Sequence, residues 1–354
     1  MFKKALTLLL TAGMALSLAA CGQSGASSTT ASSSSAASSS AAASSGSETV
    51  KIICPYGAGG TADAIARKYA KVAGELYPQY NFIVENQTGG DGFAAATSYT
   101  EGDVNTTDLL IYGYGVAYRH DIGKNYDTEI VDFDRSKIYP IASVDDRTWI
   151  LYAQPGTTLA SVIEKAQTGG VKMSGGNPLS DPHLALGSLL AQMGGKVTVV
   201  PYDGGAAQKK GLTDQEVDVF VGTTQAGKEE VEAGTLVPIL AFSDTPFTGF
   251  VGPNGPIDVP TIAGETKDPA LDASIDFTGS ILPAGGFVAT RVGADQAWID
   301  KVTEISKGVW NSDEYNGWIS EILLNRFEVY DDDAVAYLDS ACQKAMAAFE
   351  TLNS

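Results

Sequence analysis

A glycine-rich segment near the start of the globular chain is the part whose residue types point most directly to chemistry. Residues 53–66 read ICPYGAGGTADAIA. The glycines fit a short dinucleotide-binding pattern, with Glu85 placed where a ribose-binding acid would stand. The pattern is too short to carry that conclusion alone, and the absence of Gly-Lys-Ser/Thr excludes a phosphate loop. What these loops share is a set of free amides at a helix start, aimed at one anion. The candidate ligand contacts are Tyr56, Gly59, Gly60 and Thr61.

Two further glycine loops follow other predicted strands. Residues 173–183 read MSGGNPLSDPH, in which Ser180 or Asp181 can cap a helix and Pro182 suits its first turn. Residues 202–206 read YDGGA. Three such loops in one chain predict a cleft lined by helix N-termini. They contribute the candidates Gly176, Asn177, Ser180, His183, Tyr202, Gly204 and Gly205.

Other side chains near these loops have two possible roles each. His183 would either bind the ligand or brace its loop. Asp63 is expected to complement the helix dipole, with ligand contact as the alternative. Gly113 and Tyr114, at a strand end, would line the cleft, and Thr223 would donate a hydroxyl. His120 lies in a polar stretch and is expected to be exposed.

The amino-terminal residues predict export. Lys3 and Lys4 precede an apolar run from Ala5 to Leu18, which ends in Leu-Ala-Ala-Cys at residues 18–21. This order resembles the lipobox of bacterial lipoproteins, in which cleavage leaves a lipidated cysteine, here Cys21; a plain secretory signal is the alternative. Export argues against a dinucleotide enzyme. Residues 22–47 contain almost only Ser, Ala, Thr and Gly, and predict a disordered tether of roughly 25–30 Å.

Charge and cysteine content limit the classes of partner. The chain has a formal net charge of −19, and removal of residues 1–20 leaves 21 basic against 42 acidic residues. This excess argues against nucleic acid and anionic lipid as partners. Cys54 and Cys342 are predicted core residues, with a bridge between them as the alternative, and no metal or cofactor motif is found.

Apolar strands alternate with periodic helices from residue 49 onward. This alternation predicts an α/β fold with two lobes, each a mainly parallel sheet flanked by helices. The expected lobes are 49–148 plus 241–354, and 149–240. Residues 105–137 are expected to form a polar surface excursion and 247–260 a loop. Asp331–Asp333 are expected to cap the last helix.

Several ordered motifs resemble the solute receptors of the tripartite tricarboxylate transporters. The family pattern V-P-F/Y-x-x-G-G-x-x-D is similar to residues 54–63, and V-E-N-R-P-G-x-G-G to residues 84–92. G-S-x-G-x-G-S-x-x-H-L is similar to residues 174–184, V-P-Y-x-G-x-x to 200–206, and G-x-x-x-P-A-G to 279–285. The chain departs from the family at Gln87-Thr88, at Asp214-Gln215, in the unusual polarity of residues 105–137 and in the greater length of residues 247–258.

The resemblance implies a type II periplasmic binding-protein fold and a function as a receptor. A di- or tricarboxylate would be held between the lobes by backbone amides and passed to a membrane permease. The expected protein is monomeric, needs no cofactor or metal and is not an enzyme. The alternatives are a ligand sensor for a signalling partner and an exported α/β enzyme.

Overall fold

The computed structural model describes residues 47–128, 133–202 and 204–354, which belong to one compact unit. The predicted signal peptide, Cys21 and almost all of the tether lie outside the described residues. No helix within the described part of the chain is long and apolar enough to cross a membrane.

Twelve strands and ten helices follow one another along the described residues. The strands are β1 Glu48–Cys54, β2 Tyr80–Asn86, β3 Leu109–Gly113, β4 Ile138–Arg147, β5 Trp149–Ala153, β6 Val171–Gly175, β7 Val197–Pro201, β8 Val219–Thr223, β9 Val237–Ala241, β10 Phe247–Gly252, β11 Gly255–Val259 and β12 Ala284–Arg291. The helices are α1 Thr61–Leu76, α2 Phe93–Thr100, α3 Tyr114–Tyr126, α4 Leu159–Thr168, α5 Asp181–Gln192, α6 Gly205–Thr213, α7 Thr224–Ala233, α8 Gln296–Trp310, α9 Asp313–Glu321 and α10 Asp331–Leu352.

Ten of the twelve strands form two five-stranded sheets of the same topology. The first has the order β2-β1-β3-β12-β4 and the second β7-β6-β8-β5-β9. In each sheet only the fourth strand of this order, β12 or β5, runs antiparallel to its neighbours. Every residue of β5, β8 and β12 is buried, as expected for strands covered by helices on both faces. The predicted α/β class with two mainly parallel sheets is confirmed.

The two sheets share a continuous apolar core. One cluster joins Leu110 and Tyr118 of the first sheet and its helix to Leu184 and Val219 of the second. Helix α10 packs against α5 on one side and against α3 and β4 on the other. Because β4 leads into β5 after one residue, the sheets are also connected directly by the backbone.

Residues 105–137 are not a polar surface excursion. They include strand β3 and helix α3, and most of α3 is buried. His120 is 6% exposed rather than solvated, because its ring lies against Phe133 and its Nδ1 is 2.8 Å from Oδ1 of Asp121. The polar composition of this stretch wrongly suggested exposure to solvent, because charged side chains within it pair with one another. Arg135, for example, also donates a hydrogen bond to Asp121.

Residues 247–260 form a hairpin and not a loop. Strands β10 and β11 pair antiparallel, and Phe250 packs with Tyr152 and Phe220 of the second sheet. The lobe boundaries predicted from the sequence had placed residues 247–260 in the first lobe.

Two further local expectations need adjustment. Helix α10 begins at Asp331 after Tyr330, which makes no side-chain cap; the three aspartates lie in its first turn, where their charge complements the helix dipole. Helix α9 was not anticipated. Cys54 and Cys342 are both buried and free, so the predicted core role is confirmed and the bridge is not formed.

Candidate functional site

Five helices begin at one cavity between the two sheets. The cavity has a volume of about 410 Å³. Its wall contains the residue that precedes the first turn of each helix, namely Gly60 of α1, Gly113 of α3, Ser180 of α5, Gly204 of α6 and Thr223 of α7. This convergence arises because β1, β3, β6, β7 and β8 all end at the same edge of their sheets, where ligands of open α/β folds bind.

Four of these five helix starts have no side-chain cap. Gly60, Gly113, Ser180 and Gly204 make no cap hydrogen bond, whereas Thr223 accepts one from the amide of Ala226. A helix start leaves its first amides without intrahelical partners, and these amides favour an anion. Several amide donors are therefore aimed at the cavity.

Most of the candidate contacts lie in the cavity wall. They are Tyr56, Gly59, Gly60, Thr61, Gly113, Tyr114, Gly176, Ser180, Gly204, Gly205 and Thr223. Gly59 and Gly204 have φ of 84° and 80°, a region in which side chains other than glycine are strained. The glycines at these two positions are thus required by the turns that aim the amides.

Asp63 and His183 are outside the wall and brace their loops. Asp63 accepts hydrogen bonds from the amide of Gly59 at 2.9 Å and from Asn86 and Arg67. Burial raises its pKa, but these hydrogen bonds, led by that from Arg67, bring the pKa below its usual range. Nδ1 of His183 lies 2.6 Å from the carbonyl of Pro178. Burial lowers the pKa of His183, so its ring is neutral at physiological pH.

Asn177 and Tyr202 are also outside the cavity wall. The Asn177 amide group donates to Oδ2 of Asp91 at 2.8 Å, and its carbonyl accepts from the backbone of Leu179. The hydroxyl of Tyr202 donates to Glu216. Asn177 therefore connects the second glycine loop to Asp91 and has no place in the wall itself.

A hydrogen-bonded contact joins the two sides of the cavity. The hydroxyl of Thr61, at the start of α1, lies 3.2 Å from that of Thr223 and donates to Oε1 of Gln225 at 2.7 Å. Thr61 lies on a helix that packs on the first sheet, whereas Thr223 ends β8 of the second sheet and Gln225 lies in α7, which follows β8. We call this contact the Thr61 latch.

The sequence motifs did not point to the charged side chains of the cavity wall. Arg147, at the end of β4, pairs with Asp145, which is 0% exposed. Burial raises the pKa of Asp145, and Arg147 offsets part of this rise. Burial likewise raises the pKa of the adjacent Asp146 to about 6. Arg119, on α3, donates to the backbone carbonyls of Gly90 and Asp91.

Two aspartates complete the wall. Asp181 is the first residue of α5, and Asp91 approaches Gly176, whose Cβ position would lie 2.8 Å from Oδ2 of Asp91. Burial, and secondly the negative charge of Asp91, raise the pKa of Asp181 to about 7. Asp91 could have been noticed in the sequence, because it stands where the family pattern has glycine. In the structure it has a φ of 53°, in the region that glycine favours.

Two polar atoms on wall residues have no partner among the described residues. They are the hydroxyl of Tyr114 and the indole Nε1 of Trp149, on side chains that are 0% and 9% exposed. Buried polar atoms nearly always have a hydrogen-bond partner, so these two are exceptions, and neither atom itself presents surface to the cavity.

The chain has curated relatives of one kind. A UPF0065 protein of Bordetella pertussis is 25% identical over 209 residues, which are 58% of this chain and 63% of the relative. A UPF0065 protein from an intergenic region of Agrobacterium vitis is 28% identical over 239 residues, 64% of each chain. The alignments thus span a little under two thirds of each relative. No family model matches the chain.

Solved structures resemble the whole described fold. An R. palustris protein with adipate has a TM-score of 0.70 at 17% identity, covering 86% of this chain and 97% of that one. MatC from Rhodopseudomonas palustris, with bound malate, has a TM-score of 0.66 at 15% identity, with 86% and 99% covered. A TctC solute binding protein from Polaromonas has a TM-score of 0.59 at 17% identity, with 87% and 98% covered. At these identities the likeness concerns the fold.

Proposed function

We propose that this chain, which belongs to the receptor family of the tripartite tricarboxylate transporters, captures a small carboxylate in the cavity between its sheets and delivers it to a membrane permease. The resemblance seen in the sequence motifs is confirmed by the UPF0065 relatives and by the TctC-type fold. The class of ligand, the delivery to a permease and the attachment through lipid are parts of this proposal.

The convergence of uncapped helix starts is the observation that carries the proposal. Each start contributes about 0.3–1 kcal/mol to a bound anion, and each charge-assisted hydrogen bond a net ~1.5–3 kcal/mol. Two loops with three or four amide donors therefore outweigh the diffuse repulsion of an acidic protein, which salt screens beyond about 8 Å. Proteins of this fold with bound adipate and malate are consistent with a carboxylate of this size.

The proposal places the receptor outside the cytoplasmic membrane, attached through lipid on Cys21 and the tether. The two lobes, 49–148 plus 241–354 and 149–240, would close over the ligand by a hinge at the connection of β4 with β5 and after β9. The Thr61 latch would form when the lobes are closed. The binding-protein fold points away from catalysis and supports binding without turnover.

A thermal-shift screen of carboxylates and amino acids on the full chain in detergent tests this function. A ligand at 100 times its dissociation constant should add about 2.7 kcal/mol of stability. Ligand recovered unchanged after incubation supports a receptor, and a converted ligand supports an exported enzyme. Failure of every carboxylate to stabilise the protein would contradict the proposal.

A further inference from the structure

The segment that follows helix α9 crosses from the first sheet to the second. We infer that Leu323 in this segment and Thr224 of α7 are positioning residues for the cavity, because together they fasten the start of α7 to the helices of the first sheet. We call the contact of Leu323 and the end of α9 with Thr224 and Lys228 the Leu323 clasp. The inference rests on the proposed function only where it concerns ligand binding.

Helix α9 and the residues just beyond it are held by the first sheet. Tyr315 of α9 and Leu324 are buried in the apolar cluster of this sheet, and the hydroxyl of Tyr315 donates to a carbonyl of β4 at 2.6 Å. Asn325 then pairs with Asp146 of β4: its backbone amide and its side-chain amide each donate to Asp146 at 3.0 Å. The residues that flank Leu323 therefore move with the first sheet.

Leu323 itself packs on the second sheet. Its side chain lies against the apolar cluster that contains Phe220 and Phe250, and a Cβ placed on Gly249 of β10 would be 2.9 Å from its Cδ2. Its φ of 59° is in the region that favours glycine, so the backbone is strained at this point. The result is that the neighbouring side chains of Leu323 and Leu324 enter the cores of different sheets.

Two polar side chains of α7 complete the clasp. The hydroxyl of Thr224, which is 0% exposed, donates to the carbonyl of Leu323 at 2.7 Å. Nζ of Lys228 donates to the carbonyl of Glu321, the last residue of α9, at 2.8 Å. The last carbonyls of a helix have no intrahelical partner and favour a cation. Helix α9 therefore ends on hydrogen-bond donors that the second sheet supplies.

The clasp reaches the cavity through a single peptide bond. Thr224 lies outside the cavity wall, but the preceding Thr223 lies in it and caps α7 by accepting a hydrogen bond from the amide of Ala226, another wall residue. Thr223 also takes part in the Thr61 latch. The start of α7 is thus held by α1 at the cavity and by the end of α9 behind it.

The two contacts lie at different distances along the chain from the connection between the sheets. Asn325, two residues after Leu323, pairs with Asp146, and β4 passes into β5 through Thr148 two residues later. A hinge motion displaces atoms least near its axis, which this connection provides. We therefore expect the Leu323 clasp to persist when the lobes open and the Thr61 latch separates.

Hydrogen exchange on the ligand-free full chain in detergent tests the clasp without any ligand. Thr224→Val and Leu323→Ala should each speed exchange of the α7 amides at least tenfold relative to the amides of α5, which packs on the same sheet. Thr224→Ser keeps the hydroxyl and should restore the original rate. The matched control is Thr213→Val, an exposed change that removes a hydroxyl bond within α6 and should leave α7 unaffected.

Calorimetry on the same variants measures the positioning role, with adipate and malate as separate probes. Whichever probe binds the unmodified protein should bind Thr224→Val at least fivefold more weakly, because the start of α7 is no longer fixed at the cavity. Thr224→Ser should restore the affinity, and Thr213→Val should not reduce it. Since none of these changes alters a wall residue, a lost contact with the ligand would not explain the result.

The outcomes separate this inference from the proposed function. Unchanged exchange of α7 in the folded variants, or an equal increase in α7 and α5, would show that the clasp does not fasten α7, whatever ligand binds. Faster exchange of α7 with an unaltered affinity would refute the positioning role. If neither probe binds the unmodified protein, the exchange rates alone decide the inference, and the carboxylate screen alone decides the proposed function. Thr224→Val and Leu323→Ala remove different halves of the clasp, so one suffices if the other does not fold.

Discussion

Replacing Asp181 with asparagine should stabilise the ligand-free protein, and increasingly so as the pH rises. The pKa of Asp181 is raised from 3.8 to about 7, mainly by burial and then by Asp91, against the opposing charges of Arg147 and Arg119. Between these two values the native protein holds a proton that the unfolded chain has released, so stability falls as the pH increases. Asparagine has a similar shape and no charge, which removes this loss.

The magnitude follows from the size of the shift. About three pKa units at 1.36 kcal/mol each give up to about 4 kcal/mol at pH 8. For a folded part of about 300 residues, with an unfolding entropy of ~2.1 cal/mol/K per residue, this corresponds to a rise of about 6 °C in Tm. At pH 4 the difference should be well under 1 kcal/mol, because Asp181 is then largely protonated in the native state and half protonated in the unfolded state.

Thermal unfolding followed by circular dichroism from pH 4 to pH 8 measures this difference. The matched control is Asp300→Asn, which should show no growing gap because Asp300 is exposed. A gap between Asp181→Asn and the unmodified protein that stays constant over this range would refute the assignment of a poorly compensated charge to the half-buried Asp181. A gap that shrinks with rising pH would mean that Asp181 is stabilised by an unrecognised partner.

Three further changes test the loop, the latch and the anchor. Gly59→Val should weaken ligand binding at least tenfold in calorimetry, because Gly59 has a φ of 84°. Gly57→Ala should not, since Gly57 lies outside the positive-φ region and a Cβ there meets nothing within 4 Å. Gly60, the neighbouring glycine predicted to contact the ligand, has a φ of −79° and lies outside the strained region. Thr61→Val should reduce the ligand-induced decrease in the radius of gyration measured by solution scattering, because the latch that holds the closed lobes together is removed; a decrease equal to that of the unmodified protein would argue against the latch. Cys21→Ala should leave the protein unlipidated and absent from membrane fractions, and a covalent lipid on that variant would contradict the predicted lipobox.

The sequence predicted the parts of the site that depend on short-range rules. Glycines after apolar strands, followed by periodic helices, predicted the loops at Gly59, Gly176 and Gly204, and all three reach the cavity. These features are local, because a positive φ, a helix start and a buried strand are each determined by a few neighbouring residues. The alternation of elements likewise predicted the two sheets.

Side-chain direction within those loops needed the tertiary structure. Ser180 reaches the cavity, whereas Asn177 and His183, three residues to either side, contact Asp91 and the carbonyl of Pro178. His120 shows the same limit: its polar neighbours suggested exposure, but they pair with one another in a buried cluster. Local composition does not report which partner a polar side chain will meet.

What the sequence by itself determined is a chain of two mainly parallel sheets with glycine loops that point helix starts at one place. Only the tertiary structure decided which charged side chains surround the cavity. Asp91, Arg147 and Asp181 come from three separate segments, and each alone resembles an ordinary surface or capping residue. Their proximity inside one cavity is created by folding, and burial there changes the ionisation of Asp181 through loss of water and through the field of Asp91.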